Sequence, residues 1–137
     1  MADFTIRVYA IIISNEWLLL SRERIQGKWI VKFPGGGLEF GEGTRDCLRR
    51  ELKEELGLDS EILDHYYTTD FFQPSAFHPS PTQVLSIYYM AALKQTNLLK
   101  TVDPKSHEEG VFWVQLSELS EAEVTLPIDK VVLKKLK

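Results

Sequence analysis

A single cysteine, Cys47, stands in this chain of 137 residues, so it has no internal disulfide and no thiolate cluster for a metal. The three histidines, His65, His78 and His107, are scattered without the spacing of a zinc site. Lysine and arginine total 16 against 20 acids, a formal charge of −4. That balance offers no basic field for duplex nucleic acid. No run approaches the ~20 apolar residues of a membrane span, and the opening MADFTIR lacks the charged-then-apolar layout of a secretory signal. A cytoplasmic protein away from membranes is the expectation. Neither an internal repeat nor a linker interrupts the chain. Its length suits one domain, residues 1–137, burying roughly two thirds of its unfolded surface.

The apolar pattern then sets the elements. Phe4–Ser14 alternates and becomes continuously apolar, which predicts a strand whose second half is buried on both faces. Asn15-Glu16 makes a turn, and Trp17–Ser21 returns as its hairpin partner. Trp29–Phe33 reads as a short strand, Glu61–Phe72 and Gln83–Leu93 as long β-rich runs, and Val111–Val114 as the last strand. Pro127 opens a terminal helix with Ile128, Val131, Val132 and Leu136 at helical spacing. Gln73–Thr82, with three prolines in ten residues, is irregular, and so is the polar stretch Gln95–Glu109. Each is expected to be a surface loop, with a substrate lid as the alternative. Periodicity alone therefore implies a mixed α and β domain, a mixed sheet covered by a helix on each face. An edge strand over Glu61–Phe72 would support a homodimer.

Between Gly36 and Leu58 the chain reads GGLEFGEGTRDCLRRELKEELGL. A helix begins at Gly43 or Thr44 and stops at Gly57 in the left-handed conformation. Leu48, Leu52 and Leu56 share its core stripe, and Cys47 is expected as a small buried thiol. Glu51, Glu54 and Glu55 crowd a neighbouring arc, where like charges at these spacings cost about 0.2–0.5 kcal/mol per pair. The negative end of the helix dipole adds roughly 0.3–1 kcal/mol for each acid. Such clustered violations mark functional sites. One repair pairs the acids with Arg50 and Lys53. The other is a hard divalent cation, Mg²⁺ or Mn²⁺, which prefers oxygen ligands. The preceding loop favours the cation: Pro34, Gly35, Gly36, Gly37, Gly41 and Gly43 fall within ten positions, a backbone able to approach another group closely.

The segment resembles the signature of the Nudix hydrolases, G-x5-E-x7-R-E-U-x-E-E-x-G-U with U aliphatic, at every specified position. Gly36, Glu42, Arg50, Glu51, Leu52, Glu54, Glu55, Gly57 and Leu58 supply the match, which chance would produce about once in 10⁷ chains of this size. Trp29–Pro34 and Val111–Leu119 also look like the family's flanks. The resemblance implies an α+β fold, the Nudix-type α/β/α sandwich. It implies that Glu51, Glu54, Glu55 and the main-chain carbonyl of Gly35 hold Mg²⁺. Arg50 would orient Glu51, and Glu42 would anchor Arg50. The chemistry implied is hydrolysis of a diphosphate linkage, with Glu54, Glu108 or Glu109 as general base. Trp29, Phe72 and Glu109 are the candidates for substrate contact, aromatic stacking on a base being worth about 1–3 kcal/mol.

The group beyond the diphosphate stays open. Fifteen residues separate Leu58 from Pro74, a spacing that resembles ADP-ribose-type members. The loop from Gln73 echoes the NADH-type motif but departs from it at Ser75, Ala76, His78 and Pro79. Nucleotide sugars, ADP-ribose-like molecules and nucleoside triphosphates remain as small-molecule substrates. From another class comes a non-catalytic nucleotide-sensing module. Such relatives carry an extra winged-helix region, and their signatures are often degraded, whereas this one is intact. An isoprenoid isomerase would need a further catalytic cysteine.

Overall fold

A computed structural model describes residues 2–137. Strand β1 (Asp3–Ile11) runs on through Ile12 into the two-residue β2 (Ile13–Ser14), so the expected single strand is divided between two sheets. Asn15 and Glu16, at φ 50° and 70°, form the expected two-residue turn, and positive φ at both positions suits a tight hairpin. β3 (Trp17–Ile25) is longer than its apolar run, because Gln26 and Gly27 make a second such turn into β4 (Lys28–Lys32). The glycines expected as a loop contain a strand, β5 (Gly35–Gly37), paired antiparallel to Arg7–Tyr9 of β1.

Helix α1 (Thr44–Leu56) starts after Gly43 and ends at Gly57, whose φ of 72° caps it with an N–H bond to the Lys53 carbonyl. Strand β6 (Ser60–Thr68) stops short of Phe72 because the Thr69 side chain and backbone take over the bonds to Ser86. Next come β7 (Thr82–Leu93) and β8 (Gly110–Gln115). Pro127 opens α2 (Pro127–Leu136) as expected.

One sheet has the order β5-β1-β7-β6, with β1 and β7 parallel and the other pairs antiparallel. In the other, β3 pairs antiparallel with β2, β4 and β8. Alternation along β1 divides the core. Val8, Ala10 and Ile12 face Cys47, Leu48 and Leu52 of α1, while Tyr9 and Ile11 join Ile128, Val132 and Leu133 of α2. Leu48 and Leu52 are fully buried, each worth about 1.5–3 kcal/mol. On α2, Asp129 and Leu133 are buried with Ile128 and Val132, while Val131 and Leu136 are only half-buried. The result is the mixed sheet with helices on both faces.

Two anchors hold the segments that flank β1 and β7. Thr125 exchanges hydrogen bonds with Val31, its N–H donating to the Val31 carbonyl and its hydroxyl accepting the Val31 N–H, both at 2.9 Å. This fixes the start of α2 against β4. The proline-rich segment is pinned to β7 by Ser75 N–H to the Thr82 carbonyl and Val84 N–H to the Gln73 carbonyl, each 2.8 Å. Gln26 reaches the Phe77 carbonyl at 3.0 Å. Among the described residues no helix is long and apolar enough to cross a membrane.

Candidate active site

Strand β5 brings α1's acids against backbone. A Cβ at Gly36 would lie 2.3 Å from the carboxyl carbon of Glu51, so only glycine leaves that carboxylate its place. Gly35, at φ 147°, would put a Cβ 2.1 Å from the Val8 carbonyl oxygen. Its N–H donates to Glu55 Oε2 at 3.3 Å. Gly37, the residue after Gly36, faces the other way, as successive strand positions do. A Cβ at Gly37 would meet Arg7 Nη1 at 3.5 Å, an ordinary contact. The three-glycine edge strand is thus a wall one backbone thick, with Glu51 on one side and Arg7 on the other.

Arg50 organises the acidic side. It makes a bidentate pair with Glu42, Nε to Oε2 at 3.0 Å and Nη2 to Oε1 at 2.7 Å. Nη1 donates to Glu51 Oε1 at 2.8 Å and more weakly to Glu54 at 3.4 Å, and Nη2 reaches the Gly37 carbonyl at 3.2 Å. The fork geometry of a guanidinium suits such pairing. Hydrogen bonds from Arg50, then from the Glu39 N–H, hold the Glu42 carboxyl down at about 2. The pairs with Glu42 and Glu51 raise the pKa of Arg50 in turn. Lys53 does not join this network; it pairs with Asp59 at 3.4 Å. Among the described residues no group of three or more His, Cys, Asp and Glu side chains is gathered into a metal cluster. Glu51 and Glu54 point to Arg50, and Glu55 points to Gly35. The donor set nevertheless fits a hard divalent cation. It is all oxygen, and the Gly36 cradle admits Glu51 to the edge strand.

Cys47 is buried, as expected, with Sγ 3.5 Å from the Gly37 carbonyl. Burial, then the Glu42 carboxylate, pushes its thiol up to about 12. A thiol of that kind is inert. A disulfide-exchange reagent is therefore expected to label Cys47 only in denaturant; rapid stoichiometric labelling of the folded chain would contradict this placement.

On the Arg7 side lies a cavity of about 270 Å³ between the β1–β7 ladder, the start of α2 and the segment Gln73–His78. Its walls are chiefly Tyr9, Val84, Tyr88, Phe77 and Ile128, with Arg7 and Lys32 as cations. Arg7 Nε donates to the Tyr9 hydroxyl at 3.1 Å. Burial disfavours its charge, but Tyr9, Glu51 and Glu23 together raise its pKa. Lys32 is buried, its Nζ 3.5 Å from Glu23 Oε1 and 5.6 Å from the centre of the Tyr9 ring. Behind the wall, fully buried Asp129 accepts hydrogen bonds from the Tyr88 hydroxyl and from Phe33 N–H.

The remaining sequence candidates lie elsewhere. Trp29 is on β4 beside Arg24, whose guanidinium sits 5.2 Å from its ring centre, and Arg24 N–H donates to Glu109 at 3.3 Å. Phe72 is exposed just before the cavity-lining segment. None of the three lines the cavity. Sequence reasoning does not single out Arg7, Lys32 or Asp129. Their signal is a charge within an apolar run, and a buried polar group is the informative exception in a core.

A family model described as the NUDIX domain matches residues 3–136. An RNA pyrophosphohydrolase from Nitratiruptor sp. is 38% identical over 66 residues, 43% of this chain and 41% of that protein. An 8-oxo-dGTP diphosphatase from Haemophilus influenzae is 31% identical over 88 residues, 61% of this chain and 60% of that protein. The matched stretch thus spans under two thirds of either relative. In fold, the chain is similar to a MutT NUDIX hydrolase from Burkholderia pseudomallei, at TM-score 0.75 and 20% identity over 98% of both chains. Two helices enclosing one mixed and one antiparallel sheet, a glycine edge strand against an acidic helix and a family match over nearly every residue agree: this chain belongs to the NUDIX domain family.

Proposed function

We propose that this chain, as a single cytoplasmic domain, hydrolyses the diphosphate linkage of a small nucleoside diphosphate derivative, with Mg²⁺ or Mn²⁺ as cofactor. The observation that carries the reading is the edge strand β5, which sets an oxygen-rich acidic face directly behind a cationic, base-sized cavity. Glu51, Glu54, Glu55 and the Gly35 carbonyl would hold the metal. A divalent cation there would acidify water and draw charge from the phosphoryl oxygens.

The chain's own residues do the rest. Arg50, clamped by Glu42, holds the Glu51 carboxylate in one orientation. Neighbours of this kind that orient a ligand are typically worth about 10–100-fold in metal affinity or activity. Arg7 stands on the cavity side of the glycine wall, where its free N–H groups can meet a phosphate oxygen and set the diphosphate across the edge of β5. The cavity, just below the ~300–1,000 Å³ range for ligand sites, has room for one ring system. Glu54, exposed on the helix, is better placed to accept a proton at this face than Glu109, which is engaged by Arg24. The names of the two relatives, one acting on RNA and one on an oxidised nucleoside triphosphate, support a nucleotide substrate.

Incubation with EDTA is expected to abolish release of mononucleotide or orthophosphate from a panel of nucleoside diphosphate derivatives, and added Mg²⁺ to restore it. Turnover that survives chelation would rule out the mechanism. Tight nucleotide binding without turnover across the panel would favour a sensing module instead.

A further inference from the structure

The cavity's charged lining is one-sided. Arg7 and Lys32 are donors only, and no carboxylate is among the described side chains that line it. The buried acid Asp129 has one oxygen engaged by the Tyr88 hydroxyl and the other by Phe33 N–H, and it does not line the cavity. Lys32 is the more demanding of the two cations. Its ammonium is buried, yet its protein acceptors, the Phe33 carbonyl and Glu23, both stand at 3.5 Å, at the limit of a hydrogen bond. A buried donor with three hydrogens and only distant acceptors gains most from a ligand that presents an oxygen. The half-buried Val84 and Phe77 offer apolar surface to the flat face of a ring, which leaves the ring's edge to meet the ammonium.

Resting on the proposed nucleotide hydrolysis, we infer that Lys32 selects the base, making the cavity specific for nucleotides whose base edge carries a carbonyl oxygen. Guanine presents two acceptors there, O6 and N7, and uracil and thymine present O4; adenine sets its N7 beside an amino group that donates, and cytosine presents the amino group. At Lys32 an amino edge would set donor against donor. Sites built to hydrogen-bond one partner reject the analogue lacking it far more strongly than apolar pockets reject a size change. Lys32 is on this account a specificity-determining residue that leaves the hydrolytic step to the opposite side of β5.

The test is calorimetric titration of the whole chain with GMP, UMP, AMP and CMP in EDTA, where no turnover occurs. GMP and UMP are expected to bind at least about tenfold more tightly than AMP and CMP. Lys32→Met, checked for folding by its melting temperature, is expected to bring the four within about twofold of one another. Equal or reversed affinities in the unaltered chain, binding of none of the four, or a preference that survives in a folded Lys32→Met chain would each overturn the inference. The panel on the unaltered chain decides even if the variant does not fold. Failure of the hydrolytic reading looks different: the base preference appears in EDTA, but no diphosphate is cleaved when Mg²⁺ is added.

Discussion

Glu55→Gln is expected to lower the hydrolytic rate on the order of 100-fold or more while leaving the melting temperature almost unchanged. The magnitude follows from the carboxylate's proposed place among the metal's oxygens, since even a neighbour that merely orients a ligand costs about 10–100-fold. The stability half follows from the geometry. Glu55 is exposed, and its side chain accepts a hydrogen bond from Gly35 N–H at 3.3 Å. A glutamine oxygen can accept the same bond. Exposed substitutions away from special features shift stability by about 0.5 kcal/mol or less, and removing one of three crowded negative charges relieves repulsion. Initial rates at saturating Mg²⁺ and a thermal melt are the two measurements. A rate within a factor of two of the original would remove Glu55 from the site.

The second large effect concerns stability, through Asp129. Burial, partly opposed by the Tyr88 hydrogen bond and the Lys32 charge, raises its carboxyl to about 6. The folded state therefore holds that proton more tightly than the unfolded chain. The resulting stabilisation is complete below the ordinary value of 3.8 and is lost as pH rises through about 6. At roughly 1.4 kcal/mol per unit, that loss is on the order of 3 kcal/mol. Glu42 acts in the opposite sense and in a lower window, its contribution present above 4.5 and lost as pH falls toward 2. Urea unfolding at pH 4, 5, 6 and 7 separates the two when Asp129→Asn is compared with the unaltered chain. All other titrations cancel in the difference, which should move in favour of the variant as pH rises from 4 to 7. A flat difference would show that Asp129 does not titrate in that window. Asp129→Ala is harsher: it orphans the Tyr88 hydroxyl and Phe33 N–H and leaves Glu23, at 3.5 Å, to answer the buried Lys32 charge. Unsatisfied groups cost about 1–3 kcal/mol each, a large part of a typical total of about 5–15 kcal/mol.

Where local chemistry dictates the backbone, the amino-acid sequence suffices. Gly57 caps α1, Pro127 starts α2, and Asn15-Glu16 turns the first hairpin, because each needs only its own residues' conformational preferences. The turn at Gln26-Gly27 is hidden because the flanking Arg24 and Lys28 obscure the alternation of the strands. β5 is hidden for a different reason. Glycine has low strand propensity, so a strand built of three glycines becomes visible only through its partner, Arg7–Tyr9. The arc of Glu51, Glu54 and Glu55 is legible as a helical face. So is the pairing of Arg50 with these acids, whereas the turn of Lys53 away to Asp59 is not, since that partner lies beyond the end of the helix. Arg7, Lys32 and Asp129 belong to three elements far apart in sequence, and hydrophobic patterning has no means of bringing charged residues together. The division of β1 at Ile12 likewise depends on its bond to Leu19.

The thinness of β5 sets unequal tolerances on its two sides. Alanine at Gly37 makes only an ordinary contact, whereas alanine at Gly36 drives into Glu51. Side chains lining the ring-sized hollow can thus change, position by position, without disturbing the carboxylates behind them. Variation among relatives should accumulate on the Arg7 face and stay frozen on the Glu51 face, giving one hydrolytic apparatus many clienteles.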